Sequence, residues 1–401
     1  MAALSIRDVA RLANVDEAFV HRLLEIGAIR QDQGGFGSRD VRRVRLLHSW
    51  EMAGLPADLI MRTVEAGGLS LAFLDTPIMV GAEPLERTYR ELCTDENVPL
   101  SLVQGLHEGL GFAPPAADDR AREDDPQLIA VVRTFMSVGA SESGTLRLVR
   151  VYADALRRLA QAEADLYESE IEGRLRDAGM DERQLLEFGS NVGERIIALL
   201  EAALIAVYRR HREHVWIAHS TNHAEVALDV AGLHPRVSRP PAICFVDLTG
   251  YTRITEERGD EVAARFAGEL SALVEDISQR RGGRPIRWLG DGGMFHFREP
   301  RAAVLAALDM VEGAPKIGLP PTHIGIHTGP VISQDGDVYG RTVNLASRIA
   351  SYAGAGQVLA SEETVDRSRD GGLRFEPVGS VDLKGVGEPV PLYQASRDPS
   401  A

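Results

Sequence analysis

The sequence predicts an α+β sheet domain at the C-terminal end of the chain, preceded by an all-helical region. Three observations support this prediction. Residues 127–231 carry apolar side chains at helical spacing and show almost no strand pattern. A proline-containing connector, "LHPRVSRPPA", follows and suits a domain boundary. From Ala242 onward the pattern becomes strand, helix, hairpin, helix, strand, which is the order of a ferredoxin-like sheet with additions.

The composition excludes several classes of protein. A length of 401 residues with 44% hydrophobic residues indicates two or three domains, and a net charge of -15 argues against coating nucleic acid or anionic membranes. The two cysteines, Cys93 and Cys244, argue against a disulfide framework or a structural zinc site. The apolar run 196–207 is too short to cross a membrane, and the N-terminus lacks a signal pattern. We therefore expect a cytoplasmic protein with no membrane association.

Two short helical patterns lie near the N-terminus, on either side of residues 13–15. Ser5 with Asp8 can cap the first helix, and Asp16 can cap the second. A glycine-rich stretch and two further helices follow, over about 38–52 and 57–66. Together these elements predict a helix-turn-helix unit.

The order of these elements over residues 1–75 resembles the winged-helix DNA-binding domain of MerR-like regulators. In this chain Asp16 and Glu17 open the second helix, where such regulators carry basic and aromatic groups. Because phosphate neutralisation supplies much of the affinity for DNA, these acidic residues argue against DNA binding. A protein–protein or sensory role is favoured instead.

Residues 76–233 are expected to form an all-helical domain, and residues 234–241 a linker. Two short helices are predicted over 84–112, with a turn near Asn97. The long helical stretch 185–216 is apolar enough around its circumference to be core or a helix–helix interface. Its periodicity does not choose between those two interpretations.

The α+β domain is expected over residues 242–398. A short apolar strand, "AICFV", leads into Asp247 and is followed by an amphipathic helix. The hairpin "IRWLGDGGMFHF" carries Asp291 at its tip, between glycines that leave the carboxylate uncrowded, and His296 is expected to be exposed on it. The later elements are predicted as a helix at 300–311, a strand at 323–332, a helix at 341–352, and strands at 373–379 and 390–395.

Two carboxylates are predicted to meet at one edge of the sheet. The first strand and the hairpin strand can lie side by side, which would bring Asp247 close to Asp291. Like charges at short range are costly unless something neutralises them, and hard divalent cations with oxygen ligands do so. The sequence therefore predicts a metal site here, with the backbone carbonyl beside Asp247 as a further candidate ligand.

Four ordered motifs make residues 242–395 similar to the catalytic domain of class III nucleotidyl cyclases. They are "FVDLTGYT", "LGDGGMF", "DVYGRTVNLASR" and "LKGVGEPVPLYQ". The resemblance implies that a nucleoside triphosphate is closed to a cyclic monophosphate, with release of pyrophosphate. It also implies two divalent ions per active site, Mg²⁺ or Mn²⁺, bound by Asp247 and Asp291.

The same resemblance assigns roles to five further residues. Asn344 and Arg348 are four residues apart on a predicted helix, so they share a face. The resemblance implies that they are catalytic, with the amide orienting the ribose and the guanidinium reaching the phosphorus centre. Asp337 would accept from the exocyclic amine of adenine, and Lys384 would contact the triphosphate. Arg287 occupies the position of a lysine that reads the purine ring nitrogen in adenylate cyclases.

The substitution at Arg287 leaves the base specificity open, because arginine is larger than lysine and forked. We expect an adenylate cyclase, a phosphorus–oxygen lyase that makes 3′,5′-cyclic AMP from ATP. The alternatives are a cyclase for GTP or a pyrimidine triphosphate, and a weakly active nucleotide sensor. A DNA-binding regulator is the least favoured interpretation.

The resemblance also implies partners for this chain. Active sites of the family form between two catalytic domains, so a homodimer through the catalytic domain is expected. The helical region resembles the regulatory region of actinobacterial-type adenylate cyclases and is expected to control catalysis. The sequence does not specify the signal that this region senses. The candidates are pH and a lipid or small-molecule effector bound near residues 196–207.

Overall fold

The computed structural model describes residues 4–31, 35–75, 79, 81, 83–234, 240–369 and 372–398. The chain divides into two compact units, Met1–His223 and Ala224–Ala401. The predicted linker at 234–241 falls largely on residues 235–239, which lie outside the described residues.

The described helices are α1 (Ile6–Ala13), α2 (Glu17–Glu25), α3 (Ser38–Met52), α4 (Ala57–Glu65), α5 (Tyr89–Asp95), α6 (Leu100–Leu110), α7 (Asp125–Ser137), α8 (Glu142–Leu166), α9 (Gly173–Asp177), α10 (Glu182–Val230), α11 (Tyr251–Arg258), α12 (Asp260–Arg280), α13 (Pro300–Gly313), α14 (Arg341–Tyr352) and α15 (Glu362–Asp366). The described strands are β1 (Pro84–Thr88), β2 (Arg120–Arg122), β3 (Ala242–Leu248), β4 (Gly283–Leu289), β5 (Gly292–Phe297), β6 (Thr322–Thr328), β7 (Ile332–Gln334), β8 (Asp337–Tyr339), β9 (Val358–Ser361), β10 (Leu373–Val381) and β11 (Val390–Arg397).

The two helices predicted near the N-terminus are found, together with their caps. The Ser5 hydroxyl accepts a hydrogen bond from the Asp8 backbone N–H at 3.1 Å, and the Asp8 carboxylate accepts from the Ser5 backbone N–H at 2.9 Å. Asp16 accepts from the Phe19 backbone N–H at 2.6 Å and so caps α2. Helices α1 to α4 enclose one hydrophobic core whose innermost residues include Val20.

A second hydrophobic core lies under α5 to α8. The prediction that a helix begins at Pro84 is wrong, because residues 84–88 form β1 and pair with β2. The Thr88 side chain accepts from the Glu91 backbone N–H and caps α5, so the helix begins only at Tyr89. Pro84 is therefore the first residue of a strand, and the capping box of Thr88 and Glu91 marks the start of the helix that follows.

The apolar surface of α10 is exposed in the single chain. Relative exposure is 69% at Leu199, 51% at Val207 and 62% at Trp216. These side chains do not belong to a core of the described chain, which favours the helix–helix interface interpretation. Among the described helices, none is long and apolar enough to cross a membrane.

The C-terminal unit is built on a seven-stranded sheet in the order β10-β11-β9-β6-β3-β5-β4. Only the β6–β9 pair is parallel, and the other neighbours in this sheet are antiparallel. Alternate residues of β3, such as Cys244 and Val246, pack with α12 and α13. Ile243 faces the opposite side, where it packs with Ala346 of α14. Because strand side chains alternate, Asp247 lies on the α14 side of the sheet.

Helix α14 lies directly against β6. A Cβ atom at Gly325 would collide with the backbone nitrogen of Ala350, so only glycine allows this approach. The buried face of α14 includes Leu345 and Ile349. Strand β6 is shorter than predicted, because it ends at Thr328, and the short hairpin β7–β8 precedes α14.

Candidate active site

The structure brings Asp247 and Asp291 together at the end of β3 and the tip of the β4–β5 hairpin. Asp247 pairs in register with Gly292, and the Leu248 backbone N–H donates to the Asp291 backbone oxygen at 3.2 Å. The two carboxyl groups are close enough for the charge of Asp291 to raise the pKa of Asp247. The predicted meeting of the two carboxylates is therefore found, while their role as metal ligands stays a prediction.

The glycine after Asp291 is required by this close approach. A Cβ atom at Gly292 would lie 2.5 Å from the backbone oxygen of Val246 and 2.9 Å from Oδ1 of Asp247. Both distances are too short for a carbon atom, so any other residue would push β5 away from β3. The Gly-Asp-Gly-Gly sequence thus holds the hairpin tip against the carboxylate of the neighbouring strand.

The electrostatics of this pair suit a divalent cation. Burial, and after it the negative charge of Asp291, together raise the pKa of Asp247 to about 6. An added cation would relieve the repulsion, and oxygen donors are what Mg²⁺ and Mn²⁺ prefer. Within the described ranges no group of three or more His, Cys, Asp or Glu side chains could hold a metal. The pair would therefore need further oxygens from backbone, solvent or substrate.

One neighbour of the carboxylate pair was missed by the sequence analysis. His323 on β6 lies opposite Asp247 in the register, with its Nε2 atom 3.7 Å from Oδ2 of Asp247. Its Nδ1 atom is 3.1 Å from the Thr249 hydroxyl. Burial lowers the pKa of His323, and the charge of Asp291 partly offsets that effect. Only the strand register could have revealed this contact, since 76 residues separate positions 247 and 323.

The two predicted catalytic residues lie together on the exposed face of α14. Asn344 and Arg348 are exposed, while Leu345 and Ile349 on the other face are buried. The Asn344 backbone N–H donates to Gly340 at 3.2 Å, which places Asn344 in the first turn of the helix. Neither side chain forms a hydrogen bond or ion pair with another residue in the described part of the chain.

The predicted base-recognition residues contact each other. Arg287 on β4 forms an ion pair with Asp337 on β8. The Arg287 side chain is 46% exposed and the Asp337 side chain 17% exposed, so the aspartate is the more sheltered partner. Lys384 is exposed in the turn between β10 and β11, and it forms no hydrogen bond or ion pair with another described residue.

His296, which the sequence predicted to be exposed, is half-buried on β5. Burial lowers its pKa to about 4, and the nearby charge of Arg284 contributes to the same shift. Its neighbours in the sheet are Ile243 on β3 and Arg284 on β4. The prediction failed because the pattern of the hairpin alone did not show that β5 lies inside the sheet.

The chain resembles known cyclases in both of its parts. The model of the adenylate and guanylate cyclase catalytic domain matches residues 236–394, and that of the adenylate cyclase regulatory domain matches residues 34–213. A pH-sensitive adenylate cyclase of Mycobacterium tuberculosis is 25% identical over 81% of this chain and 81% of its own. An adenylate cyclase of Streptomyces coelicolor is 27% identical over 73% of this chain and 75% of its own.

Among solved structures, the adenylyl cyclase CyaB from P. aeruginosa is 27% identical, covers 39% of this chain and 93% of its own, and has a TM-score of 0.35. The two matched models account for the helical region and for the sheet that carries Asp247 and Asp291. The chain therefore carries an adenylate and guanylate cyclase catalytic domain in its C-terminal part, with an adenylate cyclase regulatory domain ahead of it.

Proposed function

We propose that this protein is an adenylate cyclase, which converts ATP to 3′,5′-cyclic AMP and pyrophosphate under the control of its N-terminal helical region. The observation that carries the proposal is the meeting of Asp247 and Asp291 at one edge of the sheet. Relatives named adenylate cyclase that align with most of this chain support the same activity. Ring closure needs an activated 3′-hydroxyl and a stabilised α-phosphate, and the site offers groups for both.

Two divalent ions per active site, Mg²⁺ or Mn²⁺, fit the carboxylate pair and would be held by Asp247 and Asp291. When bound, they supply positive charge that stabilises the triphosphate and favours loss of the 3′-hydroxyl proton. The raised pKa of Asp247 supports this assignment, because it results first from burial of the carboxyl group and second from the charge of Asp291, and a cation would offset both.

The other groups act on the nucleotide directly. Arg348 donates to the phosphate oxygens as negative charge develops there, and Asn344 orients the ribose so that its 3′-oxygen faces the α-phosphorus. Lys384 binds the triphosphate. Asp337 accepts from the exocyclic amine of adenine, while Arg287 donates to a ring nitrogen.

We propose that the active enzyme is a homodimer through the catalytic domain. Asn344 and Arg348 are exposed and lack partners among the described residues, as expected for groups that complete a site with the carboxylate pair of a second chain. A two-fold symmetric dimer would contain two equivalent sites. A monomer would then be inactive.

A cyclase with another base specificity is the second candidate, and the Arg287–Asp337 ion pair favours it. The guanidinium of Arg287 is already paired with Asp337, the carboxylate that would accept a hydrogen bond from the exocyclic amine of adenine. A base that presents a carbonyl oxygen, as in GTP or a pyrimidine triphosphate, could accept from the free N–H groups of Arg287. A weakly active nucleotide sensor is a further form of this alternative.

The test is an activity assay on the purified full chain with Mn²⁺ and each of the four nucleoside triphosphates. Cyclic products are separated by chromatography and identified by mass. Cyclic AMP as the main product supports the proposal, and another cyclic nucleotide as the main product supports the second candidate. No cyclic product from any triphosphate would contradict both.

We further propose the domain division 1–75, 76–233 and 242–398, joined by the linker 234–241, in a cytoplasmic protein. Separate hydrophobic cores in residues 4–74 and 85–149 support the first boundary, although the regulatory-domain model extends across it. The N-terminal unit is proposed as a sensor rather than a DNA-binding module, because Asp16 and Glu17 open α2. Absence of any DNA mobility shift at low salt would support that assignment.

A further inference from the structure

Four of the 11 histidines of the chain lie within residues 211–223, toward the C-terminal end of α10. They are His211, His214, His219 and His223, and all four are exposed. The proposed catalytic reaction uses none of them. Because neutral imidazole is the commonest metal ligand among side chains, the arrangement of these rings decides whether two of them can bind one ion together.

His219 and His223 face each other across one turn of the helix. Residues four apart on an α-helix are neighbours on its surface. The centroids of the two rings are 4.6 Å apart, and the ring planes are inclined at 77°. Their Nε2 atoms lie 3.0 Å apart. At this distance the two nitrogens share one proton, so that one Nε2–H donates to the lone pair of the other ring.

A metal ion could replace that shared proton with little movement of either ring. Zinc–nitrogen bonds of about 2.0–2.1 Å place two ligand nitrogens about 3.4 Å apart at a tetrahedral angle and about 2.9 Å apart at a right angle. The observed separation of 3.0 Å lies between these values. The pair is therefore preorganised as a bidentate ligand, which lowers the entropic cost of binding.

Trp216 restricts one of the two rings further. Its indole contacts the imidazole of His219 in a T-shaped arrangement, with centroids 5.3 Å apart and ring planes inclined at 86°. Edge-to-face packing is a favoured geometry for aromatic pairs, so this contact favours one orientation of the His219 ring. The indole also provides a fluorescent group next to the candidate ligands.

His211 and His214 do not form such a pair. In the described part of the chain, neither ring contacts another ring or takes part in a hydrogen bond. His214 lies five residues before His219, which corresponds to about 7.5 Å along the axis and about 140° around it. His214 is therefore a matched control on the same helix.

The nitrogen ligands distinguish this pair from the carboxylates of Asp247 and Asp291. Imidazole suits zinc, nickel and copper, whereas carboxylate and carbonyl oxygens suit magnesium and manganese. Among the described residues, no third His, Cys, Asp or Glu side chain completes the histidine pair as a metal site. Water would fill the remaining positions around the ion, so the ion would exchange with the solvent.

We propose that His219 and His223 chelate one divalent transition-metal ion, Zn²⁺, Ni²⁺ or Cu²⁺, through their Nε2 atoms. The ring whose Nε2 carries the proton binds as its other tautomer, with the proton on Nδ1, so the neutral pair releases no net proton. The chelate joins residues one turn apart and so stabilises the helical form of α10 at His223, where the first compact unit ends. The inference does not depend on whether the chain is a cyclase.

The test is isothermal titration calorimetry of ZnCl₂ into the full chain, prepared without a histidine tag and treated with a chelator to remove bound ions. An excess of Mg²⁺ is present throughout, because it occupies oxygen sites and not imidazole. We expect one ion per chain with a Kd below about 100 μM. His219→Gln and His223→Gln should each weaken binding at least about tenfold, since a single imidazole loses the chelate. His214→Gln should bind Zn²⁺ as tightly as wild type.

Fluorescence can locate the ion independently. Cu²⁺ bound to the pair should quench the emission of Trp216, because the indole contacts the ring of His219. The loss of emission should be largely absent in Trp216→Phe, which retains the other two of the three tryptophans. In His223→Gln the same quenching should require about ten times more Cu²⁺.

Three results would overturn the proposal. The first is the absence of saturable Zn²⁺ binding to the wild-type chain up to about 1 mM. The second is equal binding in wild type, His219→Gln and His223→Gln. The third is binding that appears only when Mg²⁺ is left out, which would indicate oxygen ligands. If circular dichroism shows that one of the two variants does not fold, the comparison of the other with wild type decides the question.

Discussion

Arg287 and Asp337 form an ion pair across β4 and β8, between the two positions assigned to base recognition. The aspartate is therefore already engaged before any nucleotide arrives. A guanidinium has five N–H donors in a fixed fork, so Arg287 can remain paired with Asp337 and still donate a hydrogen bond to a base. A lysine ammonium is more compact and would leave more room for a purine.

We expect Arg287→Lys to use ATP as well as or better than the wild-type enzyme, because the smaller ammonium frees Asp337 for the amine of adenine. The measurement is kcat/KM for all four nucleoside triphosphates. Arg284→Lys is the control, since Arg284 is an exposed arginine on the same strand. A change of preferred base in either direction would show that position 287 has been assigned wrongly.

Asp247→Asn and Asp291→Asn should each lower cyclase activity by about 100-fold or more while the fold is retained, because each removes a ligand charge for the divalent ions. Activity is measured as cyclic product formed with Mn²⁺. Binding of Mn²⁺ should weaken in parallel when followed by electron paramagnetic resonance. Asp276→Asn is the control, since Asp276 is exposed on α12 and pairs with Arg280 at 2.5 Å. Unchanged turnover in either of the first two variants would contradict the proposed mechanism.

Mixed dimers can test whether each site is shared between two chains. Asp247→Asn and Arg348→Ala should each be nearly inactive alone, with the loss at Arg348 on the order of 10³-fold or more. A heterodimer of the two, isolated through a different tag on each chain, should regain about half of the wild-type activity, because one of its two sites is intact. A heterodimer as inactive as its parents would place all groups of a site in one chain.

The pH dependence of the melting temperature should reflect the titration of His296. Burial and Arg284 lower its pKa from 6.5 to about 4, so the unfolded chain takes up this proton before the folded chain does. The contribution of neutral His296 is complete above pH 6.5 and is lost as the pH falls toward 4. The melting temperature of His296→Gln should therefore fall less than that of wild type between roughly pH 7 and pH 5. His234→Gln, at an exposed position of the same unit, should behave as wild type.

The elements of both units could be predicted largely from local pattern. The caps at Ser5 and Asp16 and the bounds of α14 follow from residue type and period, and the structure confirms them. The meeting of Asp247 and Asp291 also followed, because a hairpin strand beside the first strand leaves few alternatives. These features depend on residues that are close in sequence or on a simple sheet order.

Features that depend on register between distant strands could not be predicted. The contact of His323 with Asp247 needs the pairing of β6 with β3, and the half-buried state of His296 needs β5 to lie inside the sheet. The Arg287–Asp337 ion pair joins two strands whose relative position the motifs do not specify. Strand β1 was missed for a different reason, since five residues are too few for their period to be recognised.

The close approach of α14 to β6 at Gly325 would make the proposed reaction depend on a buried residue of the sheet that the proposed mechanism does not include. A methyl group there would lift the helix away from the sheet and move Asn344 and Arg348 as one rigid body. A mutational survey restricted to polar side chains would overlook this position. Gly325→Ala, which adds a single carbon, could nevertheless reduce activity as much as the loss of Arg348.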